Sequence, residues 1–157
     1  MDNIKDWNEF YIELCHQIAT KSKDRSTKLG VVIVGPAHEV LSIGFNGFPR
    51  GVDDNEERYH KRPLKYKVTE HAERNAIYNA ARRGISLEGS TLYMPYEPTP
   101  CTDCTRGIIQ VGITEIIGTN IPFPGKGDHW ERDAEIASEL LFQSKVHREK
   151  INFKSGQ

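Results

Sequence analysis

His71-Ala72-Glu73-Arg74-Asn75-Ala76-Ile77 and, thirty residues further on, Pro100-Cys101-Thr102-Asp103-Cys104 decide how this chain folds. Each stretch opens a helix. The spacing predicts the first helix over 69–83, with Thr69 as a side-chain N-cap, the basic pair Arg82-Arg83 in the last turn and Gly84 just past its end. Ala72, Ala76 and Ala80 recur every four residues, so one face of this helix carries small side chains and can lie close against a sheet. The second helix covers 101–111. Pro100 marks its start, since the N–H it lacks would have had no helical partner there, and Gly112 stops it.

Strands surround these helices. Gly30-Val31-Val32-Ile33-Val34 is a continuous β-branched run of the kind that sits inside a sheet. Val40-Leu41-Ser42-Ile43-Gly44-Phe45 is its antiparallel partner across a turn at 36–39. Further strands are expected at 91–94, 114–118 and 146–153, with a last helix over 128–142. Near the start, Trp7, Phe10, Tyr11, Leu14 and Ile18 fall at helical spacing, in a helix ending near 21–24; Cys15 beside them reads as a buried, inert thiol. The stretch 46–51 is a loop of turn residues. Residues 52–68 are polar and mixed in charge, a solvated surface excursion with at most a short helix. Strands alternating with helices, without repeat or linker, give an α/β fold of one layered domain over 1–157.

Composition narrows the function classes. Of 157 residues, 37% are hydrophobic and 27% charged, and 21 basic side chains nearly balance 22 acidic ones. No run of like charge suggests an arm for nucleic acid, so a polyanion is not the expected partner, although a pocket for one phosphate is compatible with this balance. The first residues lack the basic start and apolar run of a secretory signal, and no stretch reaches the roughly 18 apolar residues of a membrane span. Three cysteines, two of them in one C-x-x-C, argue against a disulfide framework and for a cytoplasmic protein.

The chemistry lies in the two helix starts. Together they spell H-x-E…P-C-x-x-C, in which His71, Cys101 and Cys104 hold a zinc ion and Glu73, not a ligand, moves protons. Three protein ligands leave a fourth tetrahedral position for water, which separates a catalytic zinc from a closed structural one. On a helix, residues two apart point about 200° from each other, so His71 and Glu73 converge only on a target beyond the helix end. Cys101 and Cys104, three apart, share a face. Helix N-termini favour thiolate over thiol, the form that binds zinc. Zinc lowers the pKa of its water from 15.7 to roughly 7, making hydroxide available to attack the carbon bearing an exocyclic amine. Glu73 would take the water's proton and deliver it to the ring nitrogen and then to ammonia. The other histidines, His16, His38, His60, His129 and His147, show no ligand spacing.

Three longer runs carry a resemblance: Ser22-Lys23-Asp24-Arg25-Ser26-Thr27-Lys28-Leu29-Gly30, Gly44-Phe45-Asn46-Gly47-Phe48-Pro49-Arg50-Gly51, and the helix start at His71. With the cysteine motif, they resemble the deoxycytidylate (dCMP) deaminases of the cytidine deaminase-like superfamily, over about residues 8–118. The resemblance implies a three-layer fold with a five-stranded mixed sheet flanked by helices, and hydrolysis of dCMP to dUMP with attack at C4. It also implies homo-oligomers, often hexamers, with dCTP and dTTP as effectors. By position, Asn46 would contact the sugar and the Ala72 backbone N–H would hold the pyrimidine carbonyl. Lys28 is the leading phosphate candidate, with Arg25, Ser26, Thr27 and Arg50 nearby. Some family members carry a second, structural zinc in the excursion; here that region has His60 and no cysteine, so one ion per chain is expected. The segment 94–100 is richer in proline than the family pattern, and the loop 119–130, with Pro122, Pro124, Gly125 and Gly127, also departs from it. Trp130 reads as a packed residue. The competing readings are a deaminase of another nucleoside, nucleotide or base on the same fold, and a zinc-containing nucleotide-binding regulatory protein without turnover.

Overall fold

A computed structural model describes residues 3–125 and 128–154. The chain runs α1 (Trp7–Ala19), β1 (Gly30–Val34), β2 (Val40–Phe45), a 3-10 turn (Glu57–His60), α2 (Lys65–Val68), α3 (Ala72–Arg83), β3 (Thr91–Tyr93), α4 (Thr102–Gln110), β4 (Glu115–Thr119), α5 (Asp128–Gln143) and β5 (His147–Ile151). The strands form one sheet in the order β2-β1-β3-β4-β5. β1 is antiparallel to both β2 and β3, while β3, β4 and β5 are parallel. This is the expected five-stranded mixed sheet with flanking helices.

Alternation along β1 feeds two cores. Val31 and Ile33 join Ala72, Ala76 and Ala80 of α3, Ile108 of α4 and Leu141 of α5 on one side. Val32 and Val34 meet Tyr11, Ile12, Cys15 and Ile18 of α1 on the other. Each Val, Ile or Leu fully buried there contributes roughly 1.5–3 kcal/mol against leaving it in water. The small-residue stripe of α3 works as expected. Gly44 completes it: a Cβ there would lie 2.9 Å from Ala76 Cα and closer still to Ala72 O and Ala76 N, so only glycine lets β2 approach α3 so tightly. At the free edge of the sheet, Asn79 and Asn75 of α3 donate their side-chain amides to the carbonyls of Ile43 and Phe45, both at 2.8 Å.

Several boundaries differ from the sequence expectation. The helix at 69–83 begins at Ala72, with His71 as its cap residue and no side chain capping it. Thr69 instead ends α2, and its buried hydroxyl has no hydrogen-bond partner among the described residues. The excursion holds two short helical pieces rather than one at most. Cys101 is the cap residue of α4, so Pro100 stands one position ahead of the cap. Gly127, part of the loop singled out above, lies outside the described residues.

Candidate active site

α3 follows β2 and α4 follows β3, two strands that run the same way, so both helices start at the same edge of the sheet. That carboxyl edge is where ligands bind in open α/β sheets. The Pro-rich approach to α4 is strapped to β4. Met94 N–H donates to Ile117 O at 3.0 Å, Thr119 N–H to Tyr96 O at 2.8 Å, and Thr119 Oγ1 to Pro95 O at 2.8 Å. Gly118 permits this, because a Cβ there would strike the backbone at Tyr96 and Pro98. The strap delivers Cys101 to the start of α3.

There His71 Nδ1 lies 3.3 Å from Cys101 Sγ and 3.5 Å from Cys104 Sγ. Tetrahedral zinc, with bonds of about 2.0 Å to nitrogen and 2.3 Å to sulfur, sets such ligands roughly 3.5 Å apart. The donor set and its spacing therefore fit zinc, and three ligands leave the fourth corner to solvent or substrate. A hydrogen bond from Cys104 draws the Cys101 thiol down to about 4, reinforced by His71, while the same bond pushes Cys104 up. Hydrogen bonding to Cys101 raises the His71 imidazole.

Because His71 sits in extended conformation before the helix and Glu73 in its first turn, the two need not share a helical face to converge. Glu73 is 5% exposed, and burial pushes its carboxyl above the ordinary range, as suits a group that must pick up a proton. With no side chain capping α3, the first-turn amides, Ala72 N–H among them, are left as donors at the site.

Several residues that the sequence did not reveal hold this centre. Glu70 accepts from His71 N–H at 3.0 Å and from Arg74 Nε at 2.6 Å, while Arg74 Nη1 lies 3.6 Å from Asp103 between the cysteines. The spacing of Glu70 and Arg74, four apart before and within a helix, was the one legible signal for that clamp. Thr102 N–H donates to Asp133 Oδ2 at 2.9 Å and its hydroxyl to Asp133 O at 3.2 Å, which ties α5 over the start of α4. The two unusual segments also meet: Tyr96 contacts Phe123 edge-on at 5.7 Å, and Phe123 packs on Trp130 at 5.3 Å.

The expected substrate residues divide. Asn46 is buried and sits beside the triad through Gly47, which exchanges two backbone hydrogen bonds with Glu70. Its amide donates to Thr27 O and accepts from Leu29 N–H, both at 2.8 Å, so it also fixes the loop before β1. Within that loop Lys28 donates to Ser22 O, Ser26 Oγ accepts from Lys65, and Arg25 forms a two-pronged pair with Glu57. Arg50 turns elsewhere. It donates to Asn79 at 2.7 Å, eight residues and about 12 Å along α3 from His71. Glu115, His147 and Glu149 gather on the sheet surface, a histidine grouping the sequence did not suggest. Its members are exposed or half-exposed, and exposed acidic groups commonly gather without holding an ion.

A family model for the zinc-binding region of cytidine and deoxycytidylate deaminases matches residues 5–119. The chain belongs to this family. The deoxycytidylate deaminases of Homo sapiens and Pongo abelii are each 32% identical to it over 146 residues, covering 90% of this chain and 76% of theirs. An uncharacterized deaminase of Aliivibrio fischeri is 37% identical over 113 residues, 72% of each chain. Among solved structures, the dCMP deaminase of cyanophage S-TIM5 in complex with dCMP and dUMP shares 25% identity and a TM-score of 0.73, covering 94% of this chain and 99% of that one. The matched region contains the His71, Cys101 and Cys104 group and most of the fold around it.

Proposed function

We propose that this single-domain chain deaminates dCMP to dUMP and ammonia with one zinc ion, held by His71, Cys101 and Cys104. The observation that carries the reading is the buried Glu73 carboxyl beside a His/Cys/Cys group at zinc-ligand spacing. The ion, when bound, supplies an acidified water at neutral pH. The remaining work belongs to the chain. Glu73 takes the first proton of the attacking water and gives it to the ring nitrogen, then takes the second from the new C4 hydroxyl and gives it to the amine as the C4–N bond breaks and ammonia leaves. The Ala72 N–H orients the pyrimidine carbonyl, Asn46 meets the sugar, and the 25–28 loop receives the phosphate through Lys28, Arg25 or Ser26. The position of Arg50 on Asn79 supports it least.

Three further expectations belong to this reading. Exposed Trp7 and Phe10 of α1, with Ile43 and Phe45 on the α1 side of β2, support a homo-oligomer. The dCTP and dTTP effectors that the resemblance implies belong to it as well; a cavity of about 310 Å³ walled by Lys21, Lys23 and Arg50, and also by Asp24, Asn46 and Lys65 from the substrate side, is compatible with a nucleotide in either role. Three unpaired cysteines favour the cytoplasm.

The test is ammonia release from dCMP, CMP and deoxycytidine by the purified protein and by Glu73→Gln. We expect dCMP to be the preferred substrate. The variant should keep one equivalent of zinc and lose activity by about 10³-fold or more. A variant as active as the parent removes Glu73 from the chemistry.

A further inference from the structure

Lys23, Asp24 and Arg25 are consecutive, and each pairs with a different residue of the 52–68 excursion: Asp54, Lys65 and Glu57 respectively. The outer two pairs are exposed and contribute little by themselves. The middle pair is buried, with the Lys65 and Asp24 side chains only 9% and 7% exposed. Lys65 Nζ donates to Asp24 Oδ1 at 3.0 Å and to Ser26 Oγ at 3.2 Å. The same Asp24 oxygen accepts from Ser26 N–H at 2.8 Å and Thr27 N–H at 3.0 Å. One carboxylate oxygen thus gathers the ammonium and the two amides that shape the loop.

The network continues to the metal centre. Thr27 O is held by Asn46, Asn46 leads into Gly47, Gly47 pairs with Glu70, and Glu70 accepts from His71 N–H. The loop before β1, the turn after β2 and the excursion therefore form one hydrogen-bonded body beside the zinc ligands. A buried ammonium without its carboxylate is strongly unfavourable, so neither partner can leave without the other, and the loop has one position. An exposed pair would permit several.

We propose that Lys65 is a positioning residue for substrate: its ion pair with Asp24 latches the 24–28 loop where it meets the nucleotide phosphate. The inference rests on the dCMP reading. The two predict separable outcomes, because the latch can be read without activity.

Lys65→Met is the first variant. Lys65→Met with Asp24→Asn is the second, which removes the stranded charge and protects folding. Amide hydrogen exchange in both should show protection of Ser26 and Thr27 falling more than tenfold while Val31–Val34 keep theirs. The KM for dCMP should rise about tenfold with kcat within threefold, and the KM for deoxycytidine, which has no phosphate, should stay unchanged. Lys65→Arg, which keeps the charge, should restore most of the dCMP KM. Unchanged exchange at Ser26 and Thr27 overturns the latch. So does lost protection with an unaltered dCMP KM, or with an equal rise for deoxycytidine. Failure of the parent protein to deaminate dCMP counts against the proposed function, whereas the exchange data decide the latch alone.

Discussion

At the scale of single residues, the centre is built from few atoms with little freedom. Cys104→Ser replaces a soft thiolate with a poor zinc ligand, and metal analysis of the purified variant should find well under one equivalent where the parent carries one. Gly44 matters for a different reason. A methyl at that position meets backbone on α3 that cannot yield, so Gly44→Ala should lower unfolding free energy by about 3 kcal/mol in a denaturant titration. An equally stable variant would mean that β2 and α3 can separate freely. The grouping of His71, Cys101 and Cys104 with Glu73 beside it was legible in the sequence, because zinc deamination chemistry requires fixed residue types at fixed spacing. Lys65, Asp133 and the orphan hydroxyl of Thr69 were not. The roles of Lys65 and Asp133 depend on partners 41 and 31 residues away, which only the folded backbone brings near.

At the scale of elements, periodicity predicted the strands and long helices well, and it failed at the start of α3. Thr69 has the right side chain for a cap, yet α3 starts three residues later, because the His71 ring faces the cysteines instead of closing the helix. A functional demand overrode local preference there. The excursion was misjudged in a related way. Its charges read as solvated, and most are, but one lysine is buried in an ion pair that helps fix the loop before β1. That pair carries a pH signature. Burial pushes the Asp24 carboxyl upward, but hydrogen bonds from Thr27, Ser26 and Lys65 outweigh it and hold the group below its ordinary value. Between the folded and unfolded values the unfolded chain binds more protons, so stability rises with pH across that window. The contribution is complete above about pH 4, the ordinary carboxyl value, and is lost as pH falls through the lower folded one. Denaturant midpoints from pH 6 down to 3 should therefore fall more steeply for the parent than for Asp24→Asn.

At the scale of the molecule, the zinc centre joins two helices that belong to different crossovers, so binding of the ion is coupled to overall stability. Stripping it with a strong chelator should lower Tm by about 10 °C, recovered on adding zinc back; an unchanged Tm would mean the triad forms without help from the ion. Sedimentation should find an assembly larger than one chain, and Ile43→Lys, placing a charge on the exposed side of β2, should break it into smaller species. How such an assembly joins is constrained by the two asparagines of α3. By occupying the outward carbonyls of Ile43 and Phe45, Asn75 and Asn79 deny that margin to an incoming strand. At this flank, copies would therefore meet through side chains and not by continuing the ladder. The same pair of amides guards the chain against fibril growth from this flank, a protection that would vanish if both were alanine.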